Sequence, residues 1–346
     1  MINFLKKIKS NKFYEFFIRY LFIPIYNFFW VYILNFKDKL IGIIFKISLK
    51  NQEFISLKNN TKLIINDNKF FQKISFEIGQ NINDDFIKKN IKKIESDKHK
   101  KEIGKNKNEA HLKNTFVIDL FPELDKSIQT KIINFATSNF MLKTAYEYLG
   151  VFPIFARVYV NLNIPTKKKQ SSSQLWHRDD FGYKNLDLFM VINEVNEKNG
   201  PLYTIKQKDP MNIFYRVKKE VNSGLRGERG KILDQNFNYL NSNNFENLSI
   251  LKGKPGTSML IDSIRNYHKG GYCKSNYRLM LRINYMTNDS TYPIENLRLK
   301  RKEWLSLLEN KNYFNCYALR KRSIFFQKLK IPQILFKLYY AISIKG

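Results

Sequence analysis

A sandwich or barrel of antiparallel strands, flanked by helices on its N-terminal side, is the fold class this sequence predicts. Three observations lead there. ARVYVNLNIP (156–165) alternates polar and apolar residues with period two, as a half-buried strand does. After it, short strand-like stretches recur at fairly even spacing, with NEKNGP, KPG and KGG supplying turns beside them. Before it, ELDKSIQTKIINFATSNFMLKTAYEYLG (123–150) places Ile128, Ile132, Ile133, Phe135, Phe140, Met141 and Leu142 at helical spacing.

Taken in order, residues 1–50 are expected to be helical and membrane-facing. YLFIPIYNFFWVYILNF (20–36) carries no charge over 17 residues, the lower limit for a spanning helix, and Pro24, Asn27 and Asn35 interrupt it. An interfacial helix fits better than a crossing one. Residues 51–112 are rich in Lys and Asn and read as a loose connector with a helix or two. The domain proper is expected over 113–290. Its helices break near Ser138 and end at Gly150, and the strands follow. LDLFMVINEV (186–195) is an apolar run suited to a buried strand, LYTI (202–205) a short one, and TSMLIDS (257–263) and SNYRLMLRINYMT (275–287) two more. Residues 206–248 are polar and irregular, an insertion or lid, and 291–346 form a basic helical tail.

Composition narrows the partners. Lys and Arg outnumber Asp and Glu by 60 to 30, for a net charge of +30. Such a balance suits an anionic membrane surface, an acidic substrate or nucleic acid. A nucleic-acid binder should gather its basic residues into one stripe with interleaved aromatics; here the Lys runs are scattered over connector and tails, which argues against that class. The two cysteines, Cys273 and Cys316, form no CxxC and exclude a disulfide framework. No small-residue cleavage site follows the apolar N-terminal stretch. A cytoplasmic protein, peripheral to the inner face of the membrane, is the expectation.

Chemistry concentrates in QLWHRDD (174–180), which holds one of only four histidines. In extended structure residues i and i+2 share a face, so His177 and Asp179 project together while Trp176 and Arg178 point away. His268 follows 89 residues after Asp179, beyond the strand TSMLIDS and before the turn KGG. Two histidines and one carboxylate form the facial set of non-haem Fe(II) oxygenases, which leaves positions open for a co-substrate and for dioxygen. Arg278 lies ten residues beyond His268 at the start of the next strand, and Arg282 shares its face. A ferrous ion with one carboxylate keeps one positive charge. A 2-oxoglutarate dianion turns that to one negative, which one guanidinium neutralises while matching a carboxylate with two parallel hydrogen bonds.

SSSQLWHRDDFGYKNLDLFMVINEVNEKNGPLYTI and GKPGTSMLIDSIRNYHKGGYCKSNYRLMLRINYM resemble the proximal and distal motifs of the phytanoyl-CoA dioxygenase-like family: Trp-His-x-Asp before an apolar strand and an Asn-Gly-Pro turn, then a Gly-rich turn, a strand ending in Asp, the distal His, a Gly pair and the co-substrate Arg. The likeness spans roughly residues 115–287. It implies a double-stranded β-helix, a jelly-roll of cupin type, with flanking α-helices. It further implies that His177, Asp179 and His268 hold Fe(II), that Arg278 holds the distal carboxylate of 2-oxoglutarate with Arg282 as the alternative, and that O2 is the second co-substrate. Gln174 is a candidate hydrogen-bond donor to 2-oxoglutarate. Asp180 is read as a neighbouring acid and not a ligand. Where the family often has Gly-Ser-His after the Gly-Pro strand, this chain reads TIKQKDP, which leaves the substrate undefined.

The function expected is hydroxylation of an unactivated C–H bond in a small-molecule, lipid-linked or glycan-type substrate. The rival classes are a catalytically inactive membrane-binding protein on the same fold and a nucleic-acid-binding protein.

Overall fold

The computed structural model describes residues 35–57, 60–92, 117–165, 172–179, 184–206, 248–288 and 300–320. In chain order its elements are α1 (Phe36–Ser48), β1 (Lys62–Ile65), α2 (Lys69–Gln80), β2 (Val117–Asp119), α3 (Lys126–Ala136), α4 (Asn139–Leu149), β3 (Ile154–Asn163), β4 (Asn185–Val191), β5 (Leu202–Lys206), β6 (Ser249–Leu251), β7 (Ser258–Ile261), β8 (Asn266–Gly270), β9 (Arg278–Met286), α5 (Lys300–Ser306) and α6 (Tyr313–Ala318). A further stretch, 84–92, is helical.

The strands form a six-stranded sheet, β1-β7-β4-β9-β3-β2, and a three-stranded sheet, β6-β5-β8, and neighbouring strands pair antiparallel throughout. A bridge between His177 and His268 lengthens the smaller sheet at its β8 edge. From β3 onward the chain passes back and forth between the sheets: β3 in the large one, residue 177 in the small, β4 in the large, β5 and β6 in the small, β7 in the large, β8 in the small and β9 in the large. That winding is the double-stranded β-helix, a mainly antiparallel β core with helices on its outside.

Period two along the strands decides what lies on each face. On β9, Leu279, Leu281, Ile283 and Tyr285 join the core cluster that also takes in Ile132, Ile133, Met141 and Leu142 from α3 and α4. Met280 turns the other way, with Phe189 and Val191 of β4 and Met259 and Ile261 of β7, to meet Leu202 and Leu251 of the small sheet. Arg278, Arg282 and Asn284 share the parity of Met280 and so line the inside of the barrel.

The α3–α4 break falls where the sequence places it. Ser138 caps α4 by accepting the Met141 amide at 3.3 Å, and Gly150 ends the helix in the left-handed region at φ 77°.

Two expectations are corrected. Residues 60–92, read as part of a loose connector, belong to the body. β1 pairs with β7, and α2 buries Phe71, Ile74 and Ile78 and donates the Ser75 hydroxyl to the Val191 carbonyl at 2.8 Å. Lys and Asn are common there, but α2 turns Phe71, Ile74 and Ile78 inward and leaves Phe70 and Phe76 on its outer side. Residues 300–320, read as tail, also pack down, with Trp304, Leu308 and Leu319 buried. The uncharged stretch before Asn35, the acid Asp180, the 207–247 segment and the chain beyond 320 lie outside the described residues. Among the described residues no helix is long and apolar enough to cross a membrane.

Candidate metal centre

His177 and His268 face each other across the end of the small sheet. The main chain holds them there: His177 N–H donates to the His268 carbonyl at 3.0 Å and His268 N–H to the His177 carbonyl at 2.9 Å. Asp179 follows, its amide bonded to the Ser263 carbonyl at 3.0 Å. One nitrogen from each histidine and one Asp179 oxygen lie within 4.8 Å of one another, the one such cluster among the described residues.

The ring orientation suits a cation. His177 Nδ1 lies 2.8 Å from the Leu175 carbonyl and His268 Nδ1 3.3 Å from the Asn266 carbonyl. A carbonyl can only accept, so each ring carries its proton on Nδ1 and leaves Nε2 with a lone pair, the tautomer a metal needs. Burial pushes His268 below its usual pKa against the pull of Asp179, which keeps the ring neutral.

Asp179 is anchored through one oxygen. Its Oδ2 accepts from Arg282 Nη2 at 2.7 Å and lies 3.0 Å from the Ser263 hydroxyl, while Oδ1 faces His177 Nε2 at 4.0 Å. Burial alone would raise the Asp179 pKa; the Arg282 guanidinium, the largest opposing charge, outweighs it and holds the carboxyl well below the usual range. Arg282 is shared with Asp187, a fully buried acid on β4: Nε donates to Asp187 Oδ1 at 2.9 Å. Asn284 and Asn185 donate to Asp187 at 3.0 and 3.1 Å, and the Ser263 hydroxyl lies 2.6 Å away. Burial would lower the Arg282 pKa, but Asp187 and Asp179 together hold the guanidinium above its usual range.

Arg278 is placed differently. It is buried, with Nη1 bonded to the Gly200 carbonyl and Nε donating to Asn163 at 3.4 Å. Among the described residues no carboxylate pairs with it. Burial pushes its pKa down, against the weaker pull of the Cys273 thiol and the Tyr203 hydroxyl. Gly270 leaves its flank open: a Cβ there would stand 3.4 Å from Nη2.

Both arginines line a cavity of about 390 Å³, as do His177, His268 and the buried Gln174. Its far wall is polar, made by Asp119 and by Arg157, Tyr159, Asn161 and Asn163, the inward residues of β3. The predicted residues therefore converge on one chamber, with Asp179 just behind its wall. Sequence reasoning missed Asp187, Ser263 and the Gly200 carbonyl. Asp187 did carry a signal: an acid inside LDLFMV, an otherwise apolar strand, requires a buried partner.

No family model and no curated protein matches the chain. Solved structures do. The non-heme alpha ketoglutarate dependent carbocyclase SnoK from nogalamycin biosynthesis is 12% identical, with 51% of this chain and 64% of that one covered and a TM-score of 0.32. AviO1 from Streptomyces viridochromogenes Tue57 is 13% identical, with 49% and 66% covered and a TM-score of 0.31. EctD from S. alaskensis with bound Fe is 14% identical, with 76% and 81% covered and a TM-score of 0.35. The chain thus spans just under two thirds of SnoK and of AviO1, and TM-scores this low are no basis for assigning an activity.

Proposed function

We propose that this chain is an Fe(II)- and 2-oxoglutarate-dependent oxygenase. The observation that carries the reading is the pairing of two kinds of group in one buried chamber. Two imidazoles present lone pairs beside a deprotonated carboxylate, and a buried guanidinium in the same cavity has no carboxylate partner among the described residues. The donor set fits Fe(II): neutral nitrogens and one anionic oxygen on one side, with the rest of the coordination sphere left to ligands. With 2-oxoglutarate and dioxygen, Fe(II) supplies oxidative chemistry that reaches an unactivated C–H bond.

The chain's own groups then divide the work. His177, Asp179 and His268 hold the ion. Arg282 and Ser263 fix the Asp179 carboxylate so that Oδ1 is the oxygen offered. Arg278 receives the distal carboxylate of 2-oxoglutarate, and Gln174 adds a hydrogen bond. The apolar floor of Phe189, Leu202 and Met280 keeps water from the reacting centre. The polar β3 wall orients the substrate, a small molecule with several hydrogen-bonding groups, free or carried on a lipid or glycan. A cavity of about 390 Å³ falls within the ordinary range for such ligands.

The test is an anaerobic titration of purified protein with Fe(II) and 2-oxoglutarate. A weak visible charge-transfer band in the wild type, absent in His177→Ala, is the expected result. No band from folded wild-type protein would overturn the reading.

A further inference from the structure

The outer side of α1 is apolar where a surface helix should be polar. Phe36 is 58% exposed, Leu40 47%, Ile43 43%, Ile44 60% and Ile47 72%. At about 3.6 residues per turn these positions fall on one stripe. The opposite side, with Ile41, Gly42 and Phe45, is buried against the body. The helix therefore has two apolar faces, of which the described residues cover one.

Lysines border the uncovered stripe on both sides. Lys39 and Lys46 lie along one edge and Lys37 along the other, with Lys50 just beyond the C-terminal end. Lys46 reaches Glu147 at 3.1 Å, and Lys37 sits over the Tyr317 ring. A lysine beside an apolar stripe can bury its stem and lift its ammonium to the phosphate level of a bilayer. The charge continues into both chain ends. Asp38 of α1 binds Arg320 at 2.7 Å, and the sequence before residue 35 and after residue 320 is basic. The first segment reads MINFLKKIKSNKFYEFFIRYLFIPIYNFFWVYIL, with five basic residues and one acid, and the second reads KRSIFFQKLKIPQILFKLYYAISIKG, with six basic residues and none acidic.

We infer that the Phe36–Ile47 stripe of α1 is a docking surface for an anionic lipid bilayer. The helix lies in the interface plane, its exposed aliphatics entering the acyl boundary and the bordering lysines meeting lipid phosphates. A second copy of the chain would not account for the lysines, since two such edges brought together repel. The inference is independent of the metal centre, so it stands or falls without touching the proposed chemistry.

Two measurements on the full chain test it. The first is flotation at physiological salt with vesicles of phosphatidylcholine alone or with about one third phosphatidylserine, comparing the wild type with the triple variant Leu40→Ser, Ile44→Ser, Ile47→Ser. These side chains face outward, and circular dichroism checks that the fold is kept. Binding to the anionic vesicles that falls at least tenfold in the variant supports the inference. Equal binding by both proteins, or none by the wild type, overturns it. The second uses Ile44→Cys carrying an environment-sensitive dye. A blue shift that appears only with anionic vesicles supports the bilayer. A shifted signal without vesicles means that the chain's own ends or a second copy cover the stripe, and overturns it.

Discussion

Along the inner face of β9, Arg282 meets two carboxylates, while Arg278, four residues earlier, meets a carbonyl and an amide oxygen. Both guanidiniums are buried and both line the same cavity. The difference lies in what the neighbouring strand sets opposite. On β4, Asp187 stands across from Asn284, within reach of Arg282. At the other end the cross-strand neighbour of Arg278 is Asn163 of β3, which offers a dipole and no charge. A buried cation opposite a carboxylate is a piece of the scaffold. A buried cation opposite an amide carries an electrostatic debt that an anionic ligand can settle. Residue type, strand and face are the same, so the partner alone separates the two roles.

Four experiments break or sharpen that comparison. The largest effect is expected from Arg282→Ala, which leaves Asp179 and Asp187 buried without their cation. Unfolding in denaturant should show a loss of about 3–5 kcal/mol, measured without metal. Arg278→Ala should weaken 2-oxoglutarate by about 2–5 kcal/mol in an anaerobic binding titration. Its stability should hold or rise, because the substitution removes a charge with no acidic partner. If instead Arg282→Ala spared stability and abolished 2-oxoglutarate binding, the two assignments would be reversed. Arg278→Lys keeps the charge but not the planar fork, so its affinity should fall between wild type and Arg278→Ala. The smallest effect belongs to Asn284→Ala, which removes one of several donors to Asp187. About 1–2 kcal/mol of stability should go, with 2-oxoglutarate affinity unchanged.

Much of the fold could be read from the chain because long strands advertise themselves. β3 alternates, β4 is an apolar run broken by Asp187, and β9 carries both signals. β1, β2, β6 and β8 are three to five residues each, too short for a period to emerge. β8 also hides its role, since NYHKG reads as a loop before a turn, although it is the strand that holds His268. That His177, Asp179 and His268 gather in one place was legible through spacing and sequence context. Their support was not. Asp187 and Ser263 reach Asp179 and Arg282 only because strands far apart in sequence come together, and no local pattern encodes that meeting. The choice between Arg278 and Arg282 stayed open in the sequence for the same reason.

The chain crosses itself at Gly200 and Gly271, main chain against main chain. Gly200 sits at φ 65°, and a Cβ on it would come within 2.6 Å of the Tyr272 carbonyl carbon. The carbonyl that Arg278 grips is that of Gly200 itself. The far end of the chamber is therefore gauged by backbone, where a side-chain anchor could be lengthened or shortened by a single substitution. A gauge of this kind has no intermediate settings: it moves only if two strands move with it. The site should act as a fixed ruler for diacids, accepting the five-carbon 2-oxoglutarate and rejecting its four-carbon homologue oxaloacetate.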